Sequence, residues 1–150
     1  MMKTIRLKVT TPERVVLEKD AKQVTLTTEV GEITILPDHV PLLSIVVPGT
    51  IEVQEKDENT VMATSGGFLE FHDNEVTILA DTAERADEID LERAQKAREL
   101  AEDLKKNKRM HDDEEQFSMV VSRIDKQLAR IKVVKKYRPK GLGNTAISKD

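Results

Sequence analysis

Between positions 123 and 140 the chain carries eight basic residues and one acid: Arg123, Lys126, Arg130, Lys132, Lys135, Lys136, Arg138 and Lys140 against Asp125. Cations at this density hold anions. The chemistry on offer is recognition of a nucleic acid, a phosphate ligand, a membrane surface or an acidic protein segment. The plainer reading is a solvated helix face. Just upstream, Asp112, Asp113, Glu114 and Glu115 form an acidic run. Four consecutive acids at a helix start cannot converge on one ion, and the Gly-containing loop of an EF-hand is absent. His72 and His111 have no partner at ligand spacing, and there is no cysteine to serve as nucleophile, metal thiolate or disulfide partner. Neither a Gly-rich phosphate loop with Lys-Ser/Thr nor a G-x-S-x-G turn occurs. The charges offer binding, and nothing among them offers catalysis.

The rest of the composition frames that offer. With 150 residues there is room for one ordinary domain, or a small domain and an appendage. The net charge of −4 hides a split. Residues 1–88 hold 8 Lys/Arg against 17 Asp/Glu, which leaves 16 against 11 for residues 89–150, so a body of −9 carries a tail of +5. No apolar run approaches the ~18–20 residues of a spanning helix. Met1, Met2, Lys3 and Thr4 lack the apolar core of a signal peptide, so a soluble, intracellular chain is expected.

Two grammars divide the chain. Period-two alternation runs through Ile5-Leu7-Val9, Val24-Leu26, Ile33-Ile35, Ile51-Val53 and Val76-Ile78. Turn residues separate these runs, at Thr11-Pro12-Glu13, Val30-Gly31-Glu32, Pro37-Asp38-His39, Pro48-Gly49, Asp57-Glu58-Asn59, Gly66-Gly67 and Asp73-Asn74. Punctuation this frequent, with no helix between strands, predicts an antiparallel sandwich or barrel. From Ala83 onward the pattern turns helical. Residues 90–108 contain no Gly or Pro, Asp90 suits an N-cap, and Leu91, Ala94, Ala97 or Arg98, Ala101 and Leu104 recur at helical spacing. The pattern breaks near Met110–Asp113. A second helix is predicted from about Glu114 to Tyr137, with Phe117, Val121, Ile124, Leu128 and Ile131 as its apolar seam and Pro139 and Gly141 ending it. The expected architecture is α+β: a β-sandwich over 1–86, an antiparallel αα-hairpin over 87–140, and a disordered tail over 141–150. A hairpin with so narrow and Ala-rich a seam is held weakly unless it docks, which makes it a candidate for a mobile element.

Four stretches together resemble the epsilon subunit of F-type ATP synthases, of bacterial type. Gly31-Glu32-Ile33-Thr34-Ile35-Leu36-Pro37-Asp38-His39-Val40-Pro41-Leu42 is similar to the family's G-x-x-x-x-L-P-G-H-x-P-L loop. Ser65-Gly66-Gly67-Phe68-Leu69-Glu70 is similar to its S-G-G-F-x-E hairpin. Val76-Thr77-Ile78-Leu79-Ala80 followed by Ala83-Glu84-Arg85-Ala86 is the third, and Ile89-Asp90-Leu91-Glu92-Arg93-Ala94 matches I-D-x-x-R-A. The resemblance covers roughly residues 3–138, in family order and spacing.

The resemblance implies a non-catalytic rotor component of a proton- or sodium-translocating synthase. In the family the sandwich clamps gamma and sits on the c-ring. The hairpin either folds on the sandwich or extends along gamma towards alpha and beta, where it opposes hydrolysis. Such a chain is peripheral at the cytoplasmic face of the membrane, without direct membrane insertion. By the same resemblance Glu32, Asp38 and His39 lie at the c-ring contact. His39, between two prolines, would otherwise only satisfy local turn hydrogen bonds. Asp38 stands where the family has Gly, and since Asp tolerates a positive φ less well, an altered turn is expected. Arg123, Lys126, Arg130, Lys132, Lys135, Lys136 and Arg138 would meet an acidic DELSEED-type segment of beta. No cofactor is required. Some bacterial relatives bind a regulatory ATP on the folded hairpin, and Ile89, Asp90, Arg93, Ala94, Lys126 and Arg130 match that site. Leu100 stands where strong binders have Arg, with Lys96 one turn away, and Lys126 replaces another Arg, so binding that is weak or absent is expected. As structure alone, Asp90 caps the helix and Ala94 lets its partner helix approach.

Two other functions compete. A freestanding ATP-sensing helical switch predicts tight ATP binding and no gamma complex, and Leu100 speaks against it. A nucleic-acid module predicts salt-dependent binding to strands, and the acidic body with a single Tyr speaks against that. An enzyme comes last, for want of a nucleophile–base pair.

Overall fold

The structure is a computed structural model, and it describes residues 2–106 and 114–137. The expected bend at Met110–Asp113, His111, Arg138 with the helix stop at Pro139, and the expected tail 141–150 lie outside the described residues. Nine strands come first: β1 (Ile5–Thr10), β2 (Val15–Ala21), β3 (Gln23–Thr28), β4 (Gly31–Ile35), β5 (Leu42–Gln54), β6 (Asn59–Thr64), β7 (Gly67–His72), β8 (Glu75–Ala80) and β9 (Ala83–Arg85). A single 3-10 turn over Ala86–Glu88 leads to α1 (Leu91–Lys106) and α2 (Glu114–Tyr137). The strands hydrogen-bond in the order β2-β1-β8-β7-β5-β3-β4, with β6 between β5 and β9. The alternating residues Ile5, Leu7, Val9, Val24, Leu26, Ile51, Val53, Val76 and Ile78 all face one core between the two layers.

Pro48-Gly49 is not a turn. Both residues lie inside the thirteen-residue β5, whose first half pairs with β7 and whose second half pairs with β3 and β6. The strand therefore belongs to both layers, and the residues that punctuate loops elsewhere mark its crossing. Gly49 fits there because a Cβ would sit 3.0 Å from the Thr27 hydroxyl on the neighbouring strand. A second departure is that β1 pairs parallel with β8, in register from Arg6↔Glu75 to Thr10↔Leu79, while every other pairing is antiparallel among the described residues.

Gly67 explains why the Ser65–Glu70 stretch reads as a motif. Its φ is +148°, and a Cβ would fall 2.0 Å from the Leu79 carbonyl oxygen and 2.9 Å from the Ala80 Cα. Only glycine lets β7 begin this close to β8. Gly67→Ala is expected to destabilise the sandwich by about 2–3 kcal/mol, through left-handed strain and forced separation of backbones. Urea unfolding with an unchanged slope and a lower midpoint would show it.

The helices follow the expected start. The Asp90 carboxylate accepts from the Arg93 backbone N–H at 3.1 Å, and its carbonyl accepts from Ala94 N–H at 3.0 Å, so Asp90 caps α1 as its residue type predicts. Ala94 and Ala101 are buried, with Leu91, Ala97, Arg98 and Leu104 half-buried beside them. On α2 the seam differs from the single line of Phe117, Val121, Ile124, Leu128 and Ile131. The buried residues are Val120, Ile124, Ala129, Ile131, Val133 and Val134, while Leu128 is exposed. The reason is that α2 has two partners. Val120 and Ile124 meet Ala101 and Leu104 of α1, whereas Val133 and Val134 meet the sandwich.

Candidate functional site

The arm lies folded on the sandwich. Its seat is a small apolar patch in which Val133 and Val134 pack on Ala63 of β6, Ala86 of the 3-10 turn and Ile89, with Val61 and Leu91 at the margin. Burying two valines fully contributes about 1.5–3 kcal/mol each before the cost of ordering the arm. Charge brackets the patch. The Arg130 guanidinium donates to Glu84 on β9 at 2.7 Å and to the Gln127 side-chain carbonyl at 3.0 Å. Lys136 pairs with Glu52 on β5. Arg123, Lys132 and Lys135 are exposed and Lys126 is half-buried, and none of the four has an ion-pair partner on the sandwich among the described residues. Of the described cations expected to meet an acidic partner, Arg130 and Lys136 are thus paired with the sandwich.

That engagement bears on the residues matched to the ATP site. Ile89 and Ala94 are buried, Ile89 in the arm's seat and Ala94 on α1, while Asp90 and Arg93 stand exposed at the start of α1. Arg130 is held by Glu84. Lys96, the one candidate to replace an Arg at Leu100, is tied to Glu92 at 3.0 Å on its own helix. Glu92 first by hydrogen bond and then by charge raises the Lys96 pKa above its usual range. Leu100 itself is 65% exposed.

The Pro37–Val40 loop keeps the backbone that glycine would have allowed. Asp38 has φ +63°, in the left-handed region that its side chain tolerates less well than glycine. A local network holds the strained residue. Its N–H donates to Asn74 Oδ1 at 2.6 Å, Asn74 Nδ2 donates to Asp38 Oδ1 at 3.2 Å, and Lys3 Nζ lies 2.5 Å from Asp38 Oδ2. The Lys3 and Asn74 hydrogen bonds lower the Asp38 pKa below the usual carboxylate range. A depressed carboxylate stabilises the fold above its unfolded pKa and loses that contribution as pH falls through the folded one, so this tie is lost in acid. Asp73 and Asn74 also have positive φ, at +52° and +58°, in the β7–β8 turn that faces the loop. His39 Nδ1 lies 2.7 Å from the Val40 carbonyl oxygen, and its ring meets Phe71 edge-on at 5.8 Å, so its local bonding is the turn itself. Glu32, on β4 opposite Thr27, is exposed and makes no hydrogen bond to this loop among the described residues.

One feature escaped sequence reasoning. On the outer face of the β5–β7–β8 layer, Ile45, Phe68 and Leu79 stand in one cross-strand row, Ile45↔Phe68↔Leu79, with Leu43 in the next row. They are 43%, 56%, 54% and 76% exposed respectively. This contiguous apolar row, exposed on a sheet face, is a candidate interaction surface. Each residue alone looked like an ordinary member of an alternating strand, and only the pairing register shows that the three adjoin.

A two-layer sandwich followed by a helical hairpin folded on its flank defines a recognisable class, and comparisons place the chain within it. The family described as ATP synthase, Delta/Epsilon chain, beta-sandwich domain matches residues 4–86. The ATP synthase epsilon chain of Chloroflexus aggregans is 39% identical over 136 residues, covering 91% of this chain and 96% of that one. The epsilon chain of Desulforamulus reducens is 45% identical over 102 residues, covering 68% and 77%. Among solved structures, a chain of the Euglena gracilis mitochondrial ATP synthase OSCP/F1/c-ring assembly superposes with a TM-score of 0.73 at 25% identity, covering 84% of this chain and 78% of that one. A chain of the Tetrahymena thermophila central stalk/c-ring shares the fold, with a TM-score of 0.55 at 14% identity and coverage of 89% and 96%. The chain belongs to the epsilon chain family of F-type ATP synthases.

Proposed function

We propose that this chain is the non-catalytic central-stalk subunit that couples gamma to the c-ring and brakes ATP hydrolysis through its two helices. The observation that carries the reading is the arm's seat: two valines and two ion pairs hold a long basic helix that can therefore be released. The Leu43, Ile45, Phe68 and Leu79 row supplies an apolar face for gamma. Glu32 and the Asp38-His39 loop are the contacts offered to the c-ring, and released Arg123, Lys126, Arg130, Lys135 and Lys136 offer a cationic face to beta. The subunit would sit at the cytoplasmic face of the membrane, attached through protein contacts. No described helix is long and apolar enough to cross a membrane. The test is hydrolysis by the cognate catalytic head with gamma, after adding either the full chain or residues 1–88.

ATP is not required for this role. With Arg130 held by Glu84, Lys96 held by Glu92 and Leu100 in place of an arginine, the hairpin offers a polyphosphate few fixed donors. Titration calorimetry on the full chain should give a Kd weaker than about 1 mM for ATP, and Leu100→Arg should tighten it about tenfold by adding one charge-assisted contact. Micromolar binding by the unaltered chain would reverse this reading in favour of an ATP-sensing switch.

A further inference from the structure

The two ion pairs at the ends of the arm's seat join α2 to the sandwich, and Arg130–Glu84 is far more buried than the exposed pairs on the body and on α1. Arg6–Glu18 and Lys96–Glu92 join largely exposed side chains, and pairs of that kind contribute little to stability. Arg130 is only 16% exposed in its side chain and Glu84 is 35% exposed. Lys136 and Glu52 are 49% and 32% exposed. Arg130 and Lys136 sit on either side of Val133 and Val134 along α2. Their carboxylates come from different strands, on either side of the strand that presents Ala63: Ala63 pairs with Glu84, and Glu52 pairs with Val61. The sandwich thus presents an apolar seat between two acids, and α2 presents two valines between two cations.

We propose that Arg130–Glu84 and Lys136–Glu52 form an electrostatic latch that holds the arm down, opened by competition for the two cations. A lifted arm exchanges each pair for solvent or for another carboxylate. Losing Glu84 alone leaves a mostly buried guanidinium with one neutral partner, which is costlier than never burying it. The sandwich itself supplies the anions that hold the arm. High salt weakens it, because the Debye length falls from ~10 Å at ~0.1 M to ~3 Å at ~1 M. Its consequence for hydrolysis rests on the braking function proposed above, but the latch itself does not.

The absence of cysteine makes the test direct. Val133 is fully buried in the seat, so in the full-length V133C chain a maleimide reacts only when the arm lifts. V76C, equally buried in the sandwich core, reports opening of the body. Glu84→Gln should speed labelling at position 133 about tenfold, and Glu52→Gln, at the more exposed pair, about threefold, with position 76 unchanged. The reversed pair E84R/R130E should restore slow labelling. Raising NaCl to about 1 M should speed the unaltered chain but not the E84Q/E52Q chain. Unchanged labelling in both single variants would overturn the latch and leave the valines as the sole hold. Equal acceleration at positions 133 and 76 would overturn it too, since the arm would then open only with the body. A working latch in a chain that fails to slow hydrolysis would remove the brake and keep the latch.

Discussion

If the sandwich takes gamma on its exposed apolar face, as proposed, glutamate in place of Phe68 should leave the sandwich folded and weaken gamma binding about a thousandfold or more. The ring is 56% exposed in the free chain. Of the ~200 Å² that a Phe can bury, ~110 Å² therefore remains for a partner, worth ~3 kcal/mol at ~25 cal/mol per Å². Glutamate forfeits that area and adds a carboxylate to be desolvated, at a cost of about 1–3 kcal/mol, beside Ile45 and Leu79. Together these come to about 4–6 kcal/mol, or roughly a factor of a thousand or more in Kd. Because Phe68 points away from the core, the unfolding midpoint should hardly move. Pull-down or interferometry with gamma, alongside a urea melt, separates the two quantities. Tight gamma binding by the variant would mean that the Leu43–Leu79 face is not the stalk contact.

On the proposed function, removal of the arm should abolish inhibition while gamma binding survives. The buried core cluster of the sandwich draws only on residues from Ile5 to Ala83, so residues 1–88 retain all of it. The exposed row that we assign to gamma also lies within that span. What is lost is α1, α2 and every cation from Arg93 onward. We expect the full chain to slow hydrolysis by the catalytic head about tenfold or more, the factor that each ~1.4 kcal/mol of arm–head contact provides, and residues 1–88 to leave the rate unchanged. If both forms bind gamma and neither inhibits, the sandwich couples and the arm has another use.

Alternation made the inward faces of β1, β3 and β8 legible, because Ile5, Leu7, Val9, Val24, Leu26, Val76 and Ile78 alternate without interruption. β2 was not legible, since Lys19 occupies an inward-side position between Leu17 and Ala21. Its ammonium reaches Glu55 at 3.0 Å at the sandwich margin, so a cation sits where the pattern requires an apolar residue. Pro48-Gly49 misled for a different reason, since a strand that changes layers needs the same residues as a turn. The α2 seam could not be read as one line because two unlike surfaces share the helix. Asp90 was legible as a cap because capping is local, acting on Arg93 and Ala94 three and four residues away. Arg130–Glu84 spans 46 positions, and no local pattern could join them. Asp38 shows the limit of residue-type reasoning about backbones: its strain is real, but Asn74 and Lys3, each more than 30 residues distant, hold it.

The parallel pairing of β1 with β8 also sets the order in which this chain acquires structure. Arg6 lies opposite Glu75, so the first strand pairs at once with β2 but finds its second neighbour only after some seventy residues have been synthesised. Loop closure over that distance is entropically slow, and topologies of this kind fold in roughly milliseconds to seconds. Helix formation in α1 and α2 needs only neighbouring residues, and an isolated helix relaxes in about a microsecond. The arm's seat on Ala63, Glu52 and Glu84 exists only once the sheet has closed. In refolding the arm therefore docks last, once the slowly closing sheet has brought Ala63, Glu52 and Glu84 together.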